Sequence, residues 1–286
     1  MWYLLILAAV VMFGVNFFFN SRYQAFAGNT MLATMALSVI SGPVSLAGLL
    51  IVNGLSLSVT PFTFLMATLA ALNGLAFSYC AIRALGKINL SLFSVFSMIG
   101  GMLLPFLAGL FAFSEFDRLV GKILCLAFIA VGMLMTVSKQ KEKGAWIYYL
   151  GVFVFNGMSG VLSMIYTNVD LPKGTAADYS ILSALVRLAI ALVWLTVLLA
   201  RRQKLKLGVR PVFDAAAAGL MNALANWLLL ISLSHVDGSM QYPLVTGGVM
   251  IVSTVIGFFT AKKPTKKDVL AVGFSMAGML CMLIPF

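Results

Sequence analysis

Arg187 stands about midway along the apolar run Thr175 to Ala200. An unpaired charge at that depth in a bilayer costs several kcal/mol, so its guanidinium is expected to face protein or a wet cavity rather than lipid. Two chemistries suit it. A planar fork of N–H donors can grip a carboxylate or phosphate, or it can hydrogen-bond backbone carbonyls and asparagine side chains and so hold helices together.

Amides form the next set. Asn16, Asn73, Asn156 and Asn222 sit at related places in the chain, and Asn226 lies one turn beyond Asn222 on the same face. They can bind a polar ligand at the centre of a bundle, or act as interhelical ties worth about 0.6 to 2 kcal/mol each. Phe153, Asn156, Ser159, Gly160, Ser163 and Thr167 share one face by their three-and-four spacing, a polar stripe suited to lining a pathway or to close packing. Tyr79, Trp194, Trp227 and Tyr242 are candidates for an aromatic cage around a quaternary ammonium. Tyr242 shares its face with Thr246, and Pro243 beside it frees a backbone carbonyl. Arg187, Asn222, Asn226, Tyr242, Asn156, Asn73, Asn16, Tyr79 and Thr246 are therefore the expected substrate-binding residues. The lone histidine, His235, lies at a helix end beside Asp237 and reads as a surface residue.

No catalytic residue is expected. The GxSxG, HExxH and phosphate-loop patterns are absent from the sequence. All eight acidic residues fall at predicted helix ends or in loops, which leaves no intramembrane carboxylate pair for acid–base work. Cys80, Cys125 and Cys281 lie in apolar runs without metal-ligand spacing. The expectation is a protein that is not an enzyme, with no metal and no cofactor.

These residues are carried by an extremely apolar chain. Of 286 residues, 62% are hydrophobic and 9% charged, too little polar surface for a soluble domain of this size. Apolar runs of about 18 to 25 residues suit helices that cross a hydrocarbon core of about 30 Å, and none alternates as a barrel strand would. An all-α integral membrane protein with ten spans is expected: Trp2 to Phe19, Thr30 to Val52, Pro61 to Ala84, Ile88 to Phe113, Leu119 to Val137, Ala145 to Thr167, Thr175 to Ala200, Pro211 to Ser234, Gly238 to Thr260 and Val269 to Pro285. The net charge of +11 comes in short Lys/Arg blocks between apolar runs, which read as topology signals and not as a nucleic-acid surface. Most of the 19 basic residues follow the odd-numbered spans, from Arg22 and Arg83 to Lys262 and Lys263, so those loops are expected in the cytoplasm and both termini outside an inner membrane.

The chain also repeats itself. Ala70, Asn73 and Gly74 recur as Gly219, Asn222 and Ala223, and the Phe96 to Gly109 segment with Gly100/Gly101 answers Gly238 to Gly257 with Gly247/Gly248. Residues 1–138 and 145–286 read as two five-helix units joined by a basic loop at 139–144. An odd number of spans turns the second unit over, giving an inverted repeat.

Ten short spans in two copies, Ser114-Glu115 at the end of the fourth, and the Tyr-Pro-Leu-Val-Thr-Gly-Gly segment from Tyr242 resemble the drug/metabolite transporter superfamily, especially its EamA-like ten-helix members. Gly238 to Ile284 is similar to the last two helices of the small multidrug resistance proteins. Two positions depart from the pattern: Ala261-Lys262-Lys263 replaces an acidic residue after the ninth helix, and Asn16 stands where those small proteins carry a glutamate. The resemblance implies a secondary transporter working by alternating access, with its site between the halves. Its expected cargo is a small polar metabolite such as an amino acid or another anionic or zwitterionic compound. Two alternatives stay open: a carrier of choline-like organic cations with an aromatic-lined site, and a membrane scaffold that transports nothing. The expected partners are the lipid bilayer and the small-molecule substrate, with no nucleic acid. The small-residue face of Gly273 and Ala277 is suited to contact between the halves or within a homodimer.

Overall fold

In the computed structural model, residues 1–28, 30–85, 90–136, 146–201, 208–259 and 264–281 are described. They form ten α-helices and no strand: α1 (Trp2–Ala27), α2 (Met31–Val52), α3 (Pro61–Leu85), α4 (Leu90–Phe113), α5 (Leu119–Thr136), α6 (Trp146–Asn168), α7 (Ala176–Ala200), α8 (Val209–Leu233), α9 (Gly238–Phe258) and α10 (Lys266–Cys281). Eight of them are long and apolar enough to cross a membrane, while Leu119–Met135 is a shorter apolar helix. The protein is a multi-pass, all-helical membrane protein. Large apolar side chains such as Phe111 (82% exposed) and Val193 (66% exposed) point outward, as a lipid solvent allows and water would not.

Helix ends are set by local chemistry. Thr30 caps α2 by accepting from the Ala33 amide at 3.2 Å. Thr175 and Asp178 form a reciprocal capping box at α7. Gly28, at φ +80°, ends α1 in a conformation few other residues adopt. Several boundaries differ from the hydropathy expectation. The first helix continues eight residues past Phe19, so Arg22 lies within a helix and not in a loop. There it pairs with Asp214 of α8 at 3.4 Å. The tenth helix starts at Lys266, three residues early, because Asp268 accepts from the Thr265 amide and hydroxyl and caps it. Lys87, Lys139, Lys141, Lys143, Arg202, Lys204, Lys206, Lys262, Lys263 and the whole 139–144 loop lie outside the described residues.

The helices of the first five pack mainly on those of the second five. α1 lies on α8 and α9, α6 lies on α3 and α4, α2 lies on α7 and α8, α3 also touches α7, α4 meets α9, and α5 meets α10. Glycine permits the closest of these approaches. A Cβ at Gly100 would run into the Phe153 backbone carbonyl of α6, and one at Gly157 would meet the Gly100 carbonyl in return. On α9, Gly248 receives Val10 of α1 and Gly247 receives Ile129 of α5. One apolar core joins Ile6, Met102, Ile129, Leu229 and Met250, and another joins Met66, Leu162, Tyr166, Tyr179 and Leu230. A Cβ at Gly273 would meet no described atom beyond its own helix within 4 Å, so among the described residues this glycine makes no close contact between the two sets of helices.

Gly100→Val is therefore expected to lower stability by about 1 to 3 kcal/mol through overpacking. Gly273→Ala should be neutral or stabilising by up to about 1 kcal/mol, since only helix propensity changes. Thermal unfolding of the purified protein in one detergent checks the pair.

Candidate functional site

Polar side chains gather at one end of the bundle and tie its loops together. Lys122, in the first turn of α5, is 2% exposed. Its Nζ donates to Asp237 Oδ2 at 2.8 Å and to the Glu115 carbonyl at 3.0 Å. Asp237 precedes α9 but makes no side-chain cap there. The Glu115 carboxylate takes that role from across the bundle, accepting the amides of Gly238 (3.1 Å) and Ser239 (2.7 Å), where a helix N-terminus favours negative charge. A Cβ at Gly109 would collide with that carboxylate, so glycine there makes its room.

A second tie joins the α2–α3 and α6–α7 loops at the same end. Asp178 Oδ1 accepts from the Ser58 amide at 3.0 Å and Asn53 Nδ2 at 2.9 Å, while Oδ2 accepts from the Thr175 amide at 2.8 Å. Tyr166 donates its hydroxyl to the Gly174 carbonyl at 2.7 Å. His235 is exposed and stacks on Trp2, ring centroids 3.6 Å apart.

Deeper in the bundle three asparagines commit their N–H groups to helix carbonyls. Asn16 Nδ2 donates to Ala218 O at 2.6 Å, Asn73 Nδ2 to Phe155 O at 2.8 Å, and Asn156 Nδ2 to Ser97 O at 2.6 Å. Asn16 is buried, and its Oδ1 accepts from Asn20 Nδ2 at 3.2 Å, so both ends of that amide are engaged. Tyr79 points elsewhere: it is exposed, and the Arg83 guanidinium lies over its ring at 5.5 Å.

Asn226 and Tyr242 do come together. They line a small cleft, a recess of about 40 Å³, with Ser159, Gly160, Ser163, Leu229, Leu230 and Leu233, between α6, α8 and α9. Tyr242 crosses to α6 and donates its hydroxyl to the Gly160 carbonyl at 3.1 Å. Gly160 has no side chain to block the ring, where an added Cβ would stand 2.9 Å from Tyr242 Cζ. Asn226 is exposed in this cleft and donates Nδ2 to Asn222 O one turn back at 2.8 Å. Half of the polar stripe expected on the sixth helix, Ser159, Gly160 and Ser163, is thus cleft wall. Thr246 and Asn222 are half-buried and are not part of this wall.

Arg187 lies about 17 Å along α7, a helix about 37 Å long at 1.5 Å per residue. It makes no hydrogen bond or ion pair with a described residue, and it is exposed. Its guanidinium rests on Gly74 of α3: a Cβ there would be 2.8 Å from Nη2 and 3.4 Å from Cζ. Gly74 thus admits an arginine head and not a neighbouring backbone. Tyr179, Ser183 and Arg187 fall four residues apart on one helix face. That face is turned inward. Tyr179 is buried and stacks on Tyr166 of α6 at 4.4 Å, and the Ser183 hydroxyl is buried with no partner among the described residues. Ser163 of the cleft wall lies beside the hydroxyls of both Tyr179 and Tyr242, linking the arginine face to the cleft.

Neither Lys122 nor Gln241 stands out in the sequence. Gln241 is fully buried, accepts the Ser232 hydroxyl at 2.6 Å and donates to Leu229 O at 3.0 Å, fixing the α8–α9 corner behind the cleft. Glutamine one residue before Tyr242 was the available signal. No group of three or more His, Cys, Asp or Glu is arranged to hold a metal among the described residues.

No family model matches this chain, and no curated protein does. Solved structures do: 28 chains are similar. One, described only as "Crystal structure of protein", superposes with a TM-score of 0.72 at 16% identity, covering 97% of this chain and 94% of that one. At that identity the likeness shows the fold alone.

Removing one partner of the Lys122 ion pair separates two cases. Asp237→Asn leaves a buried lysine without its carboxylate and should destabilise by on the order of 3 kcal/mol. Lys122→Met removes the buried charge and leaves Asp237, whose side chain is 41% exposed, to water, and is expected to change stability by less than about 1 kcal/mol. Thermal unfolding of both variants, side by side, reads the difference.

Proposed function

We propose that this protein is a secondary transporter that carries a small polar metabolite across the inner membrane by alternating access, in the manner of the drug/metabolite transporters it resembles. The observation that carries this reading is Arg187: an exposed guanidinium midway along an apolar crossing helix, with no hydrogen-bond or ion-pair partner among the described residues, on the helix face whose Tyr179 adjoins the cleft wall at Ser163. Charge at this depth is retained against a large solvation penalty, and its usual setting is a ligand or ion pathway.

Helix pairing supports ten crossings in two inverted five-helix units. Exchanging each helix for the one five places along turns the pairing of α1 with α8 and α9 into that of α6 with α3 and α4, and the pairing of α2 with α8 into that of α7 with α3. The pairs α2–α7, α4–α9 and α5–α10 map onto themselves. Two units related in this way rock against each other about a central site. The Lys122–Asp237 and Asp178 ties then close one end of the pathway and break when that end opens. With the basic loops in the cytoplasm, that end and both termini are extracytoplasmic.

An organic-cation site draws less support, because Tyr79 already faces Arg83 and Tyr242 spends its hydroxyl on Gly160. The scaffold alternative gains weight from Asn16, Asn73 and Asn156, each tying helices together.

Flux into proteoliposomes separates the three. A panel of amino acids, carboxylates, sugars and quaternary ammonium compounds should yield substrate-dependent uptake, reduced at least about tenfold by Asn226→Ala, the loss of about 1.4 kcal/mol of binding or barrier stabilisation. Uptake of ammonium compounds alone would favour the cation carrier, and no uptake across the panel would favour the scaffold.

A further inference from the structure

We infer that Arg187 is a carboxylate subsite, with Gly74 as the positioning residue on which its exposed guanidinium rests. This rests on the carrier reading of the same site and names the chemical class of its cargo.

Charge matching selects the ligand. Among the described residues, every other Lys or Arg within a helix lies in its first or last two turns, so Arg187 is the lone cation at mid-depth. One fixed positive charge in a low-dielectric setting balances one negative charge, as a carboxylate brings, and leaves a dianionic phosphate about half compensated. A guanidinium also presents parallel N–H donors at the spacing of two carboxylate oxygens. Ser183, one turn away on the same face with its buried hydroxyl unpartnered, supplies a further donor. No described acidic residue stands beside Arg187 to occupy its fork in the absence of ligand.

Gly74 sets the geometry. The nearest heavy atoms to a Cβ at residue 74 are Arg187 Nη2, Cζ and Nε, at 2.8, 3.4 and 3.6 Å, so the guanidinium lies across the glycine with its Nη2 edge closest. A methyl group there displaces the far end of a flexible side chain and leaves the backbone where it is. Gly74→Ala is therefore a mild variant that folds while moving the fork.

The experiment is protection of Arg187 from phenylglyoxal, read by peptide mass spectrometry on the full-length protein in nanodiscs. Acetate, succinate, L-glutamate, inorganic phosphate and choline chloride serve as probes at equal millimolar concentrations. At least one carboxylate should slow modification of Arg187 about tenfold, equivalent to about 1.4 kcal/mol, with choline doing nothing and exposed Arg201 modified equally throughout. In Gly74→Ala, whose unfolding temperature should match the parent, that protection should fall about threefold or more, a threefold loss being equivalent to about 0.65 kcal/mol. An Arg187 that resists the reagent without added anion, no protection by any carboxylate, or equal protection by choline would overturn the subsite. Stronger protection by phosphate than by every carboxylate would overturn the carboxylate assignment. Undiminished protection in Gly74→Ala would overturn the role of Gly74. Protection without flux in proteoliposomes keeps the subsite and removes the carrier, whereas flux without protection removes the subsite alone.

Discussion

Lipid offers no hydrogen bonds, and this constraint organises the whole molecule. Each polar group carried into the bundle must find a partner in the protein or reach water. Helices satisfy the backbone, and side chains follow the same rule. Asn16, Asn73 and Asn156 donate to carbonyls of neighbouring helices, Gln241 and Ser232 satisfy each other, and Tyr242 reaches across to Gly160. Among the described residues Arg187 has no hydrogen-bond or ion-pair partner, but it is exposed and so can meet water or a ligand. One turn away on the same face, the buried Ser183 hydroxyl is left without a partner among them, as are Asn20 Oδ1, Asp214 Oδ1 and Ser239 Oγ elsewhere in the bundle.

The two ends of the bundle manage charge differently from the middle. At the Lys122 end, carboxylates meet amides and an ammonium in compact, nearly saturated clusters that cross between loops distant in sequence. Glu115 caps a helix to which it is not joined, and Asp178 caps its own helix while holding the α2–α3 loop. Each of these contacts is built from a few hydrogen bonds that can be exchanged for water. The middle relies on glycine instead: Gly100 and Gly157 let α4 and α6 touch at backbone distance, Gly160 admits Tyr242, and Gly74 admits Arg187.

Much of this was legible in the sequence. Length and hydropathy identified the crossing helices, because lipid-facing surfaces need apolar residues all round and leave little ambiguity of period. Arg187 stood out for the same reason, as a charge where the solvent does not tolerate one. The asparagines were legible as a set but not in their roles, since an amide that binds a ligand and one that binds a carbonyl have the same residue type and the same depth. Asn226 and Asn16 were separated only by which helix face meets a neighbour. The role of Gly74 was not legible, because small-xxx-small spacing reports a close approach without saying by what. Lys122 was passed over because it sits at a helix end, where lysines are ordinarily solvated; its burial depends on Asp237 and Glu115, more than a hundred residues away and seven residues away respectively.

The central claim is that water reaches the interior of the bundle at the cleft. It is tested most directly by thiol accessibility, because only a thiol in contact with water ionises and reacts. In a background with Cys80, Cys125 and Cys281 replaced by alanine, Asn226→Cys and Leu192→Cys are compared in membrane vesicles with a charged, membrane-impermeant methanethiosulfonate. Both positions are exposed in the structure, but Leu192 lies on the outward apolar face of α7. Rapid labelling at 226 with none at 192 is the result predicted; protection of both, or equal labelling of both, would contradict an internal wet cleft.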